Sequence, residues 1–413
     1  FVVLLIEIFS PQVVKLIAPG FSQETAALST RFVMILAPML MVLCIRTILT
    51  AILDSEKHFW YGKSLGAFQS VVLIVLTVLF YKTGIYILVI GLVVAYLLEV
   101  VVGLIFVLKK NYYRFVTPYK IWNDETKTLL LCMLPLFLSN SVSEVNALVA
   151  RGVCSNFGEG VVTSLSYAQT LKQFVNSILI SSTLTVLYTN IVSKSIEADS
   201  KKSLSDYVSK SILIYIVILV PVTLVALFSA SDIVRVVFGH GAVSEYAVNN
   251  TANALIGYAY GFIPLALVGV ILRVYYSNSN TTFPLICSIF TVAINVVLIL
   301  VLSDRIGIMG VSLAASLSTA VSFFLLLFKI RRYIDKIDTR QVVKSLSKVL
   351  LASLVTIGIV LFVNQFINCS SVFKLLINIF IVFGSFYLLL YVLKPEELKY
   401  LSTRIIPNRF RKV

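Results

Sequence analysis

The sequence predicts an all-α, polytopic membrane protein, and three observations support this fold class. Of the 413 residues, 59% are hydrophobic and 13% are charged, whereas soluble domains carry about 25% charged residues. Apolar runs of the roughly 20 residues that a helix needs to cross a bilayer recur along the whole chain. Lysine and arginine are concentrated in alternate connections between these runs. We therefore expect helices that cross the membrane in alternating directions.

The apolar runs predict about eleven full transmembrane helices and one partial helix at the start of the chain. The partial helix covers about 1–9. The full spans lie near 30–53, 65–82, 84–108, 128–153, 161–189, 209–229, 250–273, 283–301, 308–329, 345–364 and 371–393. The segment 231–248 is too charged to span, so we expect it to lie at the membrane interface.

The distribution of basic residues assigns an orientation to these spans. Connections on one side, together with the C-terminal tail, hold 25 of the 34 lysines and arginines, and connections on the other side hold 7. Because cytoplasmic loops carry the excess of these residues, the first side is the cytoplasm and the C-terminus lies there. The net charge of +15 thus reflects membrane topology and contact with anionic lipid, and we expect no nucleic-acid partner.

A weak internal repeat predicts two pseudo-symmetric lobes. "VKLIAPGF" at 14–21 is echoed by "RVVFGHGA" at 235–242, and "AILDSEKHF" at 51–59 by "VYYSNSNTTF" at 274–283. Parallel repeats are typical of transporters that bind substrate between their halves. The predicted parts are an N-terminal lobe (1–108), a basic linker (109–127), a C-terminal lobe (128–329), a basic loop (330–344), two extra helices (345–393) and a basic tail (394–413).

The sequence argues against catalysis and metal binding. It contains no nucleotide-binding, metalloprotease or nucleophile motif. Its two histidines, His58 and His240, and its five scattered cysteines do not form a metal-ligand pattern. We expect no enzyme activity, metal or cofactor, and transport coupled to the membrane potential or to a proton or sodium gradient.

The span at 161–189 carries a polar stripe on an apolar helix. At about 100° per residue, Ser166, Thr170, Gln173 and Ser177 fall within about 60° of one line. A hydrated cavity wall is one interpretation of such a stripe, and hydrogen bonding between helices is the other. Lys172 points about 160° away from Thr170, so we expect it to face elsewhere.

Ionisable residues inside spans are candidate functional residues, because each costs roughly 2.5–3.5 kcal/mol to insert. Glu144 shares one face of its span with Asn140 and Arg151. Glu144 and Lys172 lie at a similar depth, roughly 13–17 Å from the outer surface. Three interpretations stay open: an ion pair between Glu144 and Lys172, a proton or cation site at Glu144 that couples transport to an ion gradient, or neither.

Two arginines have both a functional and an anchoring interpretation. Arg46 lies within a span, where its guanidinium is suited to grip an anionic diphosphate or to reach the inner headgroups. Arg273 ends its span at the cytoplasmic face, where it captures headgroup phosphate or anchors the helix.

Four segments carry a resemblance to a known family: "VVKLIAPGFSQETAALSTRFVMILAP", "VTSLSYAQTLKQF", "VVFGHGAVSEYAV" and "LRVYYSNSNTTFPL". They resemble the MviN/MurJ lipid II flippases and the polysaccharide (Wzx-like) exporters of the multidrug/oligosaccharidyl-lipid/polysaccharide superfamily. The resemblance implies fourteen spans in two six-span lobes plus two helices, with the first two spans missing from this sequence. It also adds Asn146, which fits the family's seventh-span pattern, to the candidate cavity residues.

The sequence departs from the family at charged positions. "QTLKQF" at 169–174 stands where the family reads Asp-Arg-Leu-x-Glu-Phe. Ala150 stands in place of a seventh-span aspartate, and "SN" at 279–280 in place of Gln-Asp. These departures favour a relative that moves a lipid-linked glycan other than lipid II.

We therefore expect a flippase that moves an undecaprenyl-diphosphate-linked oligosaccharide or peptidoglycan precursor across a bacterial cytoplasmic membrane by alternating access. A multidrug or cation antiporter of the same superfamily and a non-transporting scaffold in an envelope-synthesis complex are the alternatives. The expected partners are the lipid-linked glycan, membrane lipids and envelope-synthesis enzymes, and we expect a monomer.

Overall fold

The computed structural model describes residues 2–56, 58–110, 124–184, 191, 200–278, 280–335, 339–366 and 369–393. All regular secondary structure in these ranges is helical, which confirms the predicted all-α class. The chain divides into two compact units, Phe1–Leu134 and Pro135–Val413. The boundaries predicted for the lobes, linker and tail stay predictions.

In the described part of the first unit, six α-helices precede residue 110 and share a small apolar core. They are α1 (Val2–Ile8), α2 (Ser10–Ile17), α3 (Gln23–Leu36), α4 (Met39–Ser55), α5 (Phe59–Leu79) and α6 (Tyr86–Lys109). Val42, Leu49 and Leu53 recur on one face of α4, and they pack against Leu65 of α5 and Val100 of α6. The helical period therefore places the apolar residues of three helices in one cluster.

The second unit is larger and contains most of the buried residues. The helix α7 (Asp124–Ser155) enters it from the first unit. The others are α8 (Val161–Val175), α9 (Ser200–Phe228), α10 (Ala230–Phe238), α11 (Glu245–Ala259), α12 (Phe262–Ser277), α13 (Thr282–Ile306), α14 (Ile308–Ile330), α15 (Thr339–Asn364) and α16 (Ser371–Leu393). Tyr275 is fully buried and donates to the Leu326 carbonyl over 2.7 Å, because a buried hydroxyl needs a partner.

Six described helices are long and apolar enough to cross a membrane: α6, α9 (from Lys201), α13, α14, α15 (from Val343) and α16. Two bent pairs meet the same criterion when each is counted as one span. The α3–α4 pair bends by 43° and the α11–α12 pair by 41°. The apolar runs predicted one span near 30–53 and one near 250–273, without a break in either. The count of eleven spans stays a prediction.

The internal repeat recurs in the helices. In both copies a short helix is followed by a serine-capped helix, a bent continuation and two further helices, so α2–α6 correspond to α10–α14. Ser22 and Ser244, 222 positions apart, each accept a bond from the backbone N–H three residues later. Gly84 (φ 77°) and Gly307 (φ 59°), 223 positions apart, each turn the chain between the last two helices in a conformation that essentially requires glycine.

Candidate functional site

An open cavity of about 750 Å³ lies along α8. Its lining residues are Arg151, Ser166, Gln169, Thr170, Lys172, Gln173, Phe174 and Ser177. All four residues of the predicted stripe line this cavity, and all four are exposed. The helical periodicity thus brings them together on one wall.

The hydrogen bonds of the stripe favour a cavity wall over a contact between helices. Ser166 donates to the Val162 carbonyl and Thr170 to the Ser166 carbonyl, each over 3.0 Å. Gln173 donates to Ser177 over 3.4 Å. Across the described residues, these side chains bond only within α8 and its continuation. Because Ser166 and Thr170 use their hydroxyl protons on the helix itself, their oxygens remain available to accept bonds in the cavity.

Lys172 lines the same cavity, which corrects the expectation that it faces elsewhere. Its Nζ lies 4.8 Å from the centroid of the Tyr258 ring in α11, and Gln169 donates to the Tyr258 hydroxyl over 3.2 Å. The helices α8 and α11 pack together, so the side of α8 that carries Lys172 meets an aromatic face. The four-carbon stem of the lysine lets its ammonium reach the cavity as well.

The ion pair between Glu144 and Lys172 does not form. Glu144 is exposed, and the ion pairs among the described residues are Arg46–Glu99 and Arg235–Glu245. The Tyr258 ring, which attracts a cation electrostatically, takes the place of the expected carboxylate beside Lys172. The interpretation of Glu144 as a coupling site stays a prediction. The side chain of Asn140 lies outside the described residues.

Asn146 bonds to a residue that the sequence analysis missed. Asn295 of α13 is 3% exposed and donates to the Asn146 amide oxygen over 2.7 Å. Among the described residues the amide oxygen of Asn295 has no partner. A lone asparagine in the apolar span at 283–301 is the sequence signal that identifies it.

Replacing Asn295 with alanine is expected to lower the free energy of unfolding by about 0.6–1.7 kcal/mol, from the average to the maximum found for hydrogen bonds between membrane helices. The measurement is unfolding of the purified protein in mixed micelles. A double-mutant cycle with Asn146→Ala isolates the pair, and a coupling energy near zero would contradict this assignment.

In the first unit, Arg46 is paired with a second residue that the sequence analysis missed. Arg46 donates through Nε to Glu99 Oε1 over 2.8 Å. Glu99 is 1% exposed, whereas the Arg46 side chain is 34% exposed and lies 5.6 Å from the centroid of Tyr96. Glu99 is the single acidic residue of the apolar span at 84–108. Ionisable residues inside spans are costly to insert and are therefore candidate functional residues, and this criterion identifies Glu99 as well as Arg46.

The structure leaves the two interpretations of Arg273 open. Arg273 is half-buried near the end of α12. Both the capture of headgroup phosphate and the anchoring of the helix stay predictions.

A π-helical segment, Asn176–Ser181, continues α8 directly. Ser177 belongs to this segment and lines the cavity. A π-helical turn inside an α-helix is rare and often lies at a functional site. The apolar run at 161–189 predicted one regular helix without this turn.

The whole of this arrangement falls within one known family. The family model described as "Lipid II flippase MurJ" matches residues 1–381. The chain belongs to the lipid II flippase MurJ family.

Its curated MurJ relatives are similar over most of the chain. A probable lipid II flippase MurJ of Rickettsia prowazekii (strain Madrid E) is 27% identical over 321 residues, which are 77% of this chain and 63% of the relative. One of Buchnera aphidicola subsp. Baizongia pistaciae is 25% identical over 399 residues, covering 91% and 75%.

Solved structures show the same fold as the chain. A lipid II flippase MurJ in an inward closed conformation matches with a TM-score of 0.80 and 22% identity, covering 96% of this chain and 81% of that one. A Vibrio cholerae MATE transporter matches with a TM-score of 0.51 and 15% identity, covering 79% and 78%. At these identities the likeness establishes the architecture alone.

Membership of the MurJ family confirms the resemblance read from the sequence. Together with the apolar helices, it makes the chain a multi-pass membrane protein of a bacterial inner membrane. The MurJ relatives are named for transport of lipid II, so the family is one of transporters rather than enzymes. None of these names supports the expectation of a different glycan cargo.

Proposed function

We propose that the chain acts as a flippase that moves lipid II, a peptidoglycan precursor, across the bacterial cytoplasmic membrane by alternating access. The chain spans about 63% of the length of the Rickettsia relative. The observation that carries the proposal is the open cavity along α8, which combines two cations with a neutral polar wall.

The chemistry of this cavity suits a diphosphate-linked glycan. Arg151 offers a planar fork that binds phosphate through two bonds, and Lys172 offers a compact charge. The oxygens and amide of Ser166, Thr170 and Gln173 are suited to bond sugar hydroxyls. The lipid tail would remain in the bilayer, so the cavity needs to enclose only the headgroup.

Other candidate residues complete the proposal. Arg46 would contact the diphosphate, Arg273 would contact headgroup phosphate at the cytoplasmic face, and Glu144 would lie beside the headgroup. The membrane potential or a gradient of protons or sodium would supply the driving force. The cytoplasmic C-terminus, the monomeric state and contacts with envelope-synthesis enzymes are further parts of this proposal.

The same cavity weighs against the two alternatives. A drug antiporter is expected to have a closed, aromatic-lined pocket, whereas this cavity is open and a single aromatic residue, Phe174, is among the residues that line it. A scaffold without transport is not expected to carry an open cavity of about 750 Å³ lined by two cations and a polar wall.

Proteoliposomes that contain the purified protein and fluorescently labelled lipid II test this proposal. A membrane-impermeant quencher is expected to reach lipid II that starts in the inner leaflet only when the protein is present. A phospholipid with the same fluorescent label serves as the control and is expected to stay protected. Equal quenching of both lipids, or no quenching of lipid II, would contradict the proposal.

A further inference from the structure

The Arg46–Glu99 pair of the first unit is asymmetric. The carboxylate is enclosed, because Glu99 is 1% exposed, whereas a third of the arginine side chain is exposed. Glu99 lies next to Val100 of the apolar core, and Gly66 of α5 lies beside the guanidinium, where a Cβ would be 3.7 Å from an Arg46 amino group, an ordinary van der Waals distance. The carboxylate therefore depends on Arg46 for its neutralisation.

The repeated architecture does not require this ion pair. The positions that correspond to Arg46 in α12 are Val268 or Gly269, and those that correspond to Glu99 in α14 are Val321 or Ser322. The second copy thus packs the same two helices with neutral residues. Replacing a buried ion pair by apolar residues is often neutral or stabilising, so stability alone does not account for the charges in the first copy.

Both partners keep unused bonding capacity. Glu99 Oε2 is buried and has no hydrogen-bond partner among the described residues. Arg46 bonds to Glu99 through Nε, and no described residue accepts from its two terminal amino groups. A guanidinium held at Nε presents these two amino groups as a fork, which is the geometry that binds phosphate oxygens in pairs.

Few other ionisable groups face the pair. Tyr96 lies one turn before Glu99 on α6, and the described side chains of α5, from Ser64 to Leu79, include no ionisable group. Phe32 of α3 contacts Tyr86 at the start of α6, and His58, just before α5, contacts Phe106 near the end of α6. The other described ionisable groups of the packed elements are Glu24, Arg31, Cys44, Asp54, Glu56, His58, Tyr81, Lys82, Tyr86 and Lys109. Among the described residues, the hydrogen bond and ion pair of Arg46 and Glu99 join these two side chains only to each other.

We propose that Arg46 exchanges between Glu99 and a phosphate group of the cargo, and that Glu99 binds a proton when Arg46 leaves. An unpaired carboxylate is strongly disfavoured in this apolar enclosure and is neutralised by protonation. The proton enters from the aqueous phase that delivers the headgroup and leaves when Arg46 pairs with Glu99 again. Each anionic headgroup that binds is thereby accompanied by one proton. This inference rests on the proposed function.

Infrared difference spectroscopy of the full chain in a carbonyl-free detergent tests the exchange, because a protonated carboxyl has its own C=O stretch. At neutral pH, Arg46→Gln is expected to show this band. The wild-type chain, Arg46→Lys and the double variant Arg46→Gln/Glu99→Gln are expected to lack it. Arg235→Gln is the matched control: its partner Glu245 lies at 2.7 Å but is 70% exposed, so water stabilises the carboxylate and no band is expected.

A second experiment uses lipid II, instead of a mutation, to displace Arg46 from Glu99. Binding of lipid II to the wild-type chain is expected to raise the same band, and binding to Glu99→Gln is not. This arm keeps the proposal falsifiable even if Arg46→Gln does not fold. Absence of the band in folded Arg46→Gln, or binding of lipid II without it, overturns the exchange. A band in Arg46→Gln in a protein that binds no lipid II supports proton uptake at Glu99 and contradicts the proposed function instead.

Discussion

Replacing Lys172 with glutamine is expected to weaken the binding of lipid II about 10- to 100-fold. A hydrogen bond to a charged group contributes about 1.5–3 kcal/mol, and each 1.4 kcal/mol changes affinity about tenfold. Lys172 lines the cavity next to the polar wall, so under the proposed function its ammonium would meet the diphosphate. Binding of labelled lipid II to the purified protein in micelles measures the change.

The control for this prediction is a second lysine in the same kind of contact. Lys329 lies 4.8 Å from the centroid of Phe283, the same distance that separates Lys172 from Tyr258, but it does not line the cavity. Both variants lose one cation–π contact, so any general effect on stability is shared. Lys329→Gln is expected to leave binding unchanged and Lys172→Arg to restore most of it. Equal loss in both glutamine variants would assign Lys172 a structural role.

The parts of the fold that follow from local pattern were predictable. Apolar runs of helical length predicted the long helices, and the polar stripe at helical spacing predicted the cavity wall of α8. The short helix α10 begins within one residue of the amphipathic segment expected at 231–248. These features depend on residues near one another in the chain, which periodicity captures directly.

The bends within two spans were not predicted, although the sequence contains a cause for each. Pro38 precedes α4 and Gly261 precedes α12, and both residues favour a break in a helix. Because apolar residues continue through each break, the hydropathy of the sequence predicts one uninterrupted span. Hydropathy measures transfer into lipid and carries no information on whether the backbone bonds continue.

The environment of Lys172 depended on contacts between distant segments. An angle on a helical wheel gives the direction of a Cα–Cβ bond, but it does not give the reach of a long side chain or the identity of the neighbouring helix. Tyr258 is 86 positions further along the chain and is placed by the packing of α11 against α8. The partner of Arg46, by contrast, was open to prediction from composition alone, since Glu99 is an acid in an apolar span.

Replacing Gly257 with alanine is expected to lower the free energy of unfolding by about 1–3 kcal/mol, the usual cost of overpacking a close contact. A Cβ at this position would lie 2.8 Å from the Met309 carbonyl oxygen and 2.9 Å from the Leu313 nitrogen. Both are backbone atoms of α14, so the helices would have to separate. Ser316 also donates to the Gly257 carbonyl over 2.7 Å, and separation would stretch this bond.

Gly384→Ala in α16 is the matched control, because a Cβ there would meet no atom within 4 Å. Alanine favours the helix over glycine by up to about 1 kcal/mol at both sites, so the difference between the variants isolates the contact with α14. Thermal unfolding in detergent measures it, and equal midpoints would refute the close packing.

Tyr258 follows Gly257 directly, so separation of α11 from α14 also moves the ring that holds Lys172 and Gln169. Gly257→Ala, unlike the control, is therefore expected to slow the flipping of lipid II even at temperatures where it remains folded.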